Sequence, residues 1–212
     1  MYNLTDVTIR SCSVSEMDNN VYLITAKTTG AQVLIDAADD APAIERLLAD
    51  GAQDTGVPAK LALVITTHSH WDHVRALAEV VRATGARTAA GADDVDDIAV
   101  PTDVPLAHGD VGTFDGFTLE AISLRGHTPG SIALAYRDPS GPVHLFTGDS
   151  LFPGGVGNTG GDAQRFESLY SDVVERIFNT FDDDTIVHPG HGKPTTLGAE
   201  RPSLAQWRSR GW

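Results

Sequence analysis

The sequence predicts an α/β protein in which two mixed β-sheets pack face to face with helices on the outside. Three observations carry that expectation. The first part alternates strand-like and helix-like stretches, the second is dominated by short strands in pairs, and each carries its own amphipathic helix. With 212 residues, 41% of them hydrophobic, the chain can bury a full core, and residues 1–212 are expected to form a single domain.

The opening stretch, MYNLTDVTIRS, has no basic segment followed by an apolar run, and nothing in the chain approaches the roughly 20 apolar residues that span a bilayer. A cytoplasmic protein that does not engage a membrane is expected. Cys12 is the lone cysteine, so neither an intrachain disulfide nor a thiolate metal cluster is available. NVYLIT and AQVLIDA read as consecutive strands turning at Gly30. APAIERLLAD follows as a helix, and KLALVITT, apolar on both faces, reads as a strand inside a sheet. Val74, Leu77, Ala78 and Val81 then fall on one helical face, and Gly85 marks the end of that helix.

Farther on, VGTFDGFTLEAISL resembles two strands about an Asp-Gly turn, SIALAYRD and PVHLFTGD form another pair, and DTIVHPG is a last short strand. Between the last two lie a Gly-rich loop, residues 153–163, and a helix whose face is marked by Phe166, Tyr170, Val173, Ile177 and Phe181. The net charge of −14, with the basic residues scattered, excludes a nucleic-acid partner and leaves a small molecule as the expected one.

Chemistry concentrates in VITTHSHWDHV, Val64 to Val74, where a strand runs into a helix. His68, His70, Asp72 and His73 are imidazole and carboxylate donors suited to transition metals. In a tight loop, side chains two apart such as His68 and His70 can converge on one centre, while Asp72 and His73 turn toward a neighbouring one. Three later segments add donors: RGHTPGS supplies His127 in a turn between strands, LFTGDSLF places Asp149 after an apolar strand, and IVHPGHGKP holds His188 and His191. His108 and His144 lie outside these motifs and read as structural. Trp71 reads as an anchor for the following helix. His188 either supports the ligands from behind or is a bystander.

These motifs, in this order, resemble the metallo-β-lactamase-fold hydrolases, and most of all their glyoxalase II-like branch. The resemblance covers about Leu61 to Glu200 and implies a four-layer αββα sandwich with a binuclear metal site between the sheets. It implies one metal on His68, His70 and His127, a second on Asp72, His73 and His191, and Asp149 bridging them. It further implies two Zn²⁺, with iron or manganese as alternatives, and attack of metal-bound hydroxide on a thioester, lactone or related ester, with Asp72 and Asp149 catalytic.

Known glyoxalase II enzymes carry a C-terminal helical domain and basic residues that hold glutathione. Here 21 residues follow His191, and Asn158 stands where a basic residue is expected. A compact thioester, another thiol carrier or a lactone is therefore the expected substrate, with Asn158 and Arg165 as substrate-binding residues. The Gly-rich loop lacks a Lys-Ser/Thr signature and a helix directly at its end, so it is read as substrate-facing rather than phosphate-binding. The alternative is a mononuclear-iron persulfide dioxygenase, but such enzymes usually show an Arg-Thr-Asp-Phe-like stretch where this chain reads GNTGGD. A β-lactamase is disfavoured because those enzymes generally lack the bridging carboxylate, and a non-catalytic metal module because a complete ligand set beside an open cleft costs stability.

Overall fold

The computed structural model describes residues 1–211, and Trp212 lies outside the described residues. One sheet contains, in spatial order, β1 (Tyr2–Asn3), β2 (Val7–Val14), β3 (Asn19–Ala26), β4 (Ala31–Ile35), β5 (Lys60–Thr66), β6 (Arg87–Gly91) and β7 (Val104–Leu106). The pairs from β1 to β4 are antiparallel and those from β4 to β7 parallel. The second sheet is built from β8 (Val111–Phe114), β9 (Phe117–Ser123), β10 (Ile132–Arg137) and β11 (Val143–Gly148). A ribbon of β12 (Leu151–Phe152) and β13 (Gly155–Val156) leaves it. The chain returns as β14 (Ile186–Pro189), parallel to β11, and ends the sheet with β15 (Thr195–Thr196). Both sheets are mixed, as the sequence predicts.

The period of two along each strand sorts side chains between layers. Leu23, Leu34 and Val64 face outward onto α1 (Ala41–Ala52) and α2 (Leu77–Thr84), meeting Ile44, Leu47, Leu77 and Val80. Their neighbours Ile24, Val33 and Ile65 face inward onto Leu119, Leu134 and Phe146 of the other sheet. On the far side Ala133, Ala135 and Leu145 cover α3 (Ala163–Val173), where Phe166, Leu169 and Val173 are buried. Three apolar clusters thus separate four layers, helix, sheet, sheet, helix. The short C-terminal helices α4 (Leu197–Glu200) and α5 (Leu204–Arg210) close the second outer layer, with Trp207 buried beside Phe178.

Two local expectations need correction. The buried face of α2 is Leu77 and Val80, while Ala78 is exposed. A 3₁₀ turn, Trp71–His73, precedes the helix, and the amides of Arg75 and Ala76 bond to the carbonyls of Ala38 and Ala37, which resets the helical phase. Trp71 anchors nothing: it is 60% exposed, with the Arg75 guanidinium 4.0 Å over its ring, because the turn that sends Asp72 and His73 inward sends it outward. The α3 face is as predicted, Phe166 through Phe181, and runs on through a π turn at Val174–Phe178.

Candidate metal centre

Parallel strands bring their carboxyl ends to one edge of a sheet, where loops are free to carry polar groups. Here β4, β5 and β6 end at the same edge as β11 and β14. Asp36 follows β4, the His68–His73 segment follows β5, Asp149 follows β11 and His191 follows β14, while His127 arrives in the β9–β10 turn. All seven predicted metal-site residues converge. The donor atoms of His68, His70 and His127 lie within 4.8 Å of one another, as do those of Asp72, His73 and His191, and as do those of His68, His73 and Asp149.

Asp149 sits between the two triads. Its Oδ2 is 3.6 Å from His127 Nε2 and 3.4 Å from His191 Nε2, and its Oδ1 is 3.5 Å from His73 Nε2. Closer still are His68 Nε2 and His70 Nδ1 at 3.1 Å, His73 Nε2 and His191 Nε2 at 3.2 Å, and His191 Nε2 and Asp72 Oδ2 at 3.3 Å.

The outward-facing nitrogens fix which lone pairs point inward. Nδ1 of His73 donates to Asp36 Oδ2 (2.9 Å), Nδ1 of His127 to the Asn158 carbonyl (2.7 Å) and Nδ1 of His191 to the Met17 carbonyl (2.7 Å). Thr67 Oγ1 gives its proton to Asp36 Oδ2, which leaves its lone pair for His68 Nδ1 at 3.1 Å. The network therefore assigns four imidazoles the tautomer whose bare Nε2 aims into the shared space. His127 Nε2 and Asp149 Oδ1 are buried there without a hydrogen bond. Converging lone pairs and carboxylates require positive charge between them, so the donor set fits divalent metal ions.

Proton affinities show the same demand. Burial opposes a charge on His73, but the carboxylates of Asp36 and Asp149 outweigh it and raise the imidazole to about 10. Burial would likewise raise Asp149, yet the imidazoles of His191 and His73, with Nε2 3.4 and 3.5 Å from its oxygens, hold it well below the usual carboxylate range. Asp149 raises His191. His68 and His127 are lowered, chiefly by burial. The carboxylates of Asp36 and Asp149 thus draw positive charge onto His73 and His191, a demand that a bound metal ion would meet instead, releasing protons.

A cleft of about 760 Å³ opens beside the first triad, lined by Ser69, His70, Arg125, His127, Gln164 and Arg165. Of the predicted substrate contacts, Arg165 lines this cleft, but its guanidinium donates to the carbonyls of Gly126 (2.8 Å) and His127. Asn158 is exposed, and its side chain accepts from the Gly160 amide at 2.8 Å. Both residues thus also hold the His127 turn. The expectation that no helix starts at the end of the Gly-rich loop is wrong: α3 begins at Ala163. Its first amides are already satisfied, since Asp162 caps those of Gln164 (2.8 Å) and Arg165 (3.1 Å).

The chain matches the metallo-beta-lactamase superfamily over residues 14–191. It belongs to that superfamily. Among superfamily relatives, the hydroxyacylglutathione hydrolase GloC of Haemophilus influenzae is 30% identical over 162 residues, 68% of this chain and 74% of that one. Other relatives named hydroxyacylglutathione hydrolase are matched over 56% and 62% of their length, so the chain spans less than two thirds of them. Among solved structures, ETHE1 from Myxococcus xanthus is 26% identical with a TM-score of 0.77, covering 95% of this chain and 85% of that one. A protein determined in a di-iron-bound form is 29% identical with a TM-score of 0.69, covering 91% and 96%. The His/Asp cluster gives this member of the superfamily a donor set suited to metal ions.

Sequence reasoning missed the residues that aim the superfamily's ligands. Asp36, buried at φ 59, accepts from Thr67 N (2.7 Å) and Thr67 Oγ1 (2.8 Å) as well as His73. Its signal was present, since Asp36 follows an apolar strand as Asp149 does. Asn19 Nδ2 donates to Asp72 Oδ2 at 2.9 Å and to the Asp72 carbonyl at 3.2 Å, and no local pattern marks it. His188 does not stand behind a ligand. It bonds His144 Nδ1 at 2.8 Å and stacks on Phe146 in the inter-sheet core, so both histidines are internal packing groups. His108 is exposed on the β7–β8 loop.

Proposed function

We propose that His68, His70 and His127 hold one divalent metal ion, that Asp72, His73 and His191 hold a second, that Asp149 bridges them, and that the chain hydrolyses a compact thioester, lactone or related ester. The observation that carries this reading is the position of Asp149, with one oxygen toward His127 and His191 and the other toward His73. Metal ions in such a pair polarise a carbonyl and lower the pKa of water to near neutrality. The chain's own groups do the rest. Asp149 Oδ1, buried without a hydrogen bond, orients the attacking water, while Asn19 fixes Asp72 so that its remaining lone pairs face inward. The Arg165 and Asn158 side chains contact the leaving group along the cleft rim.

Zinc is the proposed occupant, with iron supported by the di-iron relative. One iron held by two His and an Asp would leave four of the seven convergent donors without a function, which disfavours the dioxygenase reading. The guanidiniums lining the cleft are already engaged, Arg125 in a bidentate pair with Asp172 (2.9 and 3.0 Å) and Arg165 on backbone carbonyls. Arg125's charge is already matched by Asp172, and Arg165 is pinned on backbone carbonyls with only its remaining N–H groups facing the leaving group, so a glutathione carrier is held weakly and binding energy comes mainly from the acyl part. The test is kcat/KM for a glutathione thioester, compact thioesters and lactones on one metal-loaded preparation. Higher values for the compact substrates are expected. Glutathione thioester turnover above all of them refutes the substrate assignment, and persulfide-dependent oxygen uptake by iron-loaded protein refutes the hydrolase.

A further inference from the structure

The three donors of the first triad come from two chain segments on different sheets. His68 and His70 follow β5, whereas His127 lies in the β9–β10 turn. Their spacing is therefore not set by either strand alone. A backbone bond from Ile132 N to the Thr67 carbonyl (2.9 Å) joins the segments at their base, and at the donor-bearing tips a side chain joins them: Asp94, fully buried in the 3₁₀ turn Ala92–Asp97 after β6. Its Oδ2 accepts from the Ser69 amide at 2.8 Å and from Thr128 Oγ1 at 2.6 Å, and its Oδ1 accepts from the Gly130 amide at 2.6 Å. Ser69 stands between His68 and His70, and Thr128 directly follows His127.

The backbones meet closely along this seam. A Cβ on Gly91 would lie 1.9 Å from the Gly130 carbonyl oxygen, and one on Gly130 would lie 2.4 Å from the Asp94 amide nitrogen. Two glycines let the β6 end and the β9–β10 turn touch, and the Asp94 carboxylate satisfies the three donors that this contact buries.

We infer that Asp94 is a positioning residue that sets the distance between His68/His70 and His127, and so the fit of the first metal position specifically. The inference rests on the binuclear reading above. No hydrogen bond links Asp94 to Asp72, His73 or His191 among the described residues. The second position is held from its other side by Asp36 on His73 and Asn19 on Asp72, and meets the Asp94-supported segment through the bond from His73 N to the His70 carbonyl (3.0 Å), so it is expected to feel Asp94 less. Asp94→Asn keeps the shape but turns an amide NH₂ toward at least one donor. That donor loses its acceptor, and the tips of the two segments shift apart about the Thr67–Ile132 backbone bond. Loss of an outer partner typically weakens metal affinity about 10- to 100-fold.

The experiment titrates the metal-free full chain with Co²⁺ in competition with a chelator, following the visible spectrum, for wild type, Asp94→Asn, Thr128→Val and the double variant. His127→Ala, which removes a first-triad donor, identifies which spectral component belongs to the first position. Asp94→Asn is expected to weaken that component about 10- to 100-fold while the other stays within about threefold. Thr128→Val should weaken the same component less, with the double variant short of the product of the single effects, because Thr128 acts through Asp94. Thr128→Val also reads the proposal should Asp94→Asn not fold. Equal weakening at both positions, alongside a lower melting temperature of the metal-free chain, overturns the inference in favour of a general structural role. No weakening at either overturns it outright. Wild type taking up a single equivalent instead refutes the binuclear reading, a separate outcome.

Discussion

Replacing Asp36 with Asn isolates the group that aims His73. Asn tolerates the left-handed φ of 59 that Asp36 adopts, so the backbone carries no new strain. The amide oxygen can keep the Thr67 N bond. The amide nitrogen then faces two donors, His73 Nδ1 and Thr67 Oγ1, formerly 2.9 and 2.8 Å from a carboxylate oxygen. For His73 to accept at Nδ1 its proton must move to Nε2, which blocks the inward lone pair. A charge-assisted bond of this kind contributes roughly 1.5–3 kcal/mol, which corresponds to the about 10- to 100-fold loss of metal affinity typical when a partner behind a ligand is removed. Chelator-competition titration measures it. A second readout comes from the metal-free chain. Although burial lowers the His73 pKa, Asp36 and Asp149 raise it to about 10, so charged His73 contributes stability that is fully present below about 6.5 and lost as pH rises through about 10. Asp36→Asn should flatten that alkaline loss. Metal affinity within threefold of wild type, with an unchanged alkaline stability profile, would mean that Asp36 does not aim His73.

Asp149→Asn should drop metal content below two equivalents and hydrolytic rate by more than about tenfold, since a neutral amide does not bridge two cations; full activity with unchanged metal content by elemental analysis counts against the bridge. The His144–His188 pair gives an acid-side prediction. Burial lowers these imidazoles to about 4 and about 3, so the folded chain keeps them neutral while the unfolded chain takes up protons below about 6.5. The stability they contribute is present above that pH and lost on descending toward 3–4, with a slope of at most about 2.7 kcal/mol per pH unit for two protons. Denaturant unfolding of metal-free His144→Gln between pH 7 and 4 should show a shallower slope than wild type, and an equal slope would mean that the pair does not contribute to acid sensitivity.

Strand periodicity revealed most of the sandwich because inward and outward neighbours such as Leu23 and Ile24 both face apolar layers. It missed β6, whose Arg-Thr-Ala-Ala-Gly has little strand propensity and is a strand through burial between β5 and β7. The ligands were legible because His and Asp at close spacing are rare and chemically specific. The residues that aim them were not, since Asn19, Asp94 and the Met17 carbonyl act through contacts distant in sequence, such as Asn19 to Asp72. Asp94 sits in a run of acidic residues whose spacing gives no sign of its bonds to Ser69, Thr128 and Gly130.

Anomalous-scattering maps from crystals of protein purified without added metal would show whether one chain holds two metal ions across Asp149. Two peaks roughly 3.5–4 Å apart are expected, one facing His68, His70 and His127, the other facing Asp72, His73 and His191, with Asp149 between. A single peak, or a second peak away from Asp149, would contradict the binuclear reading.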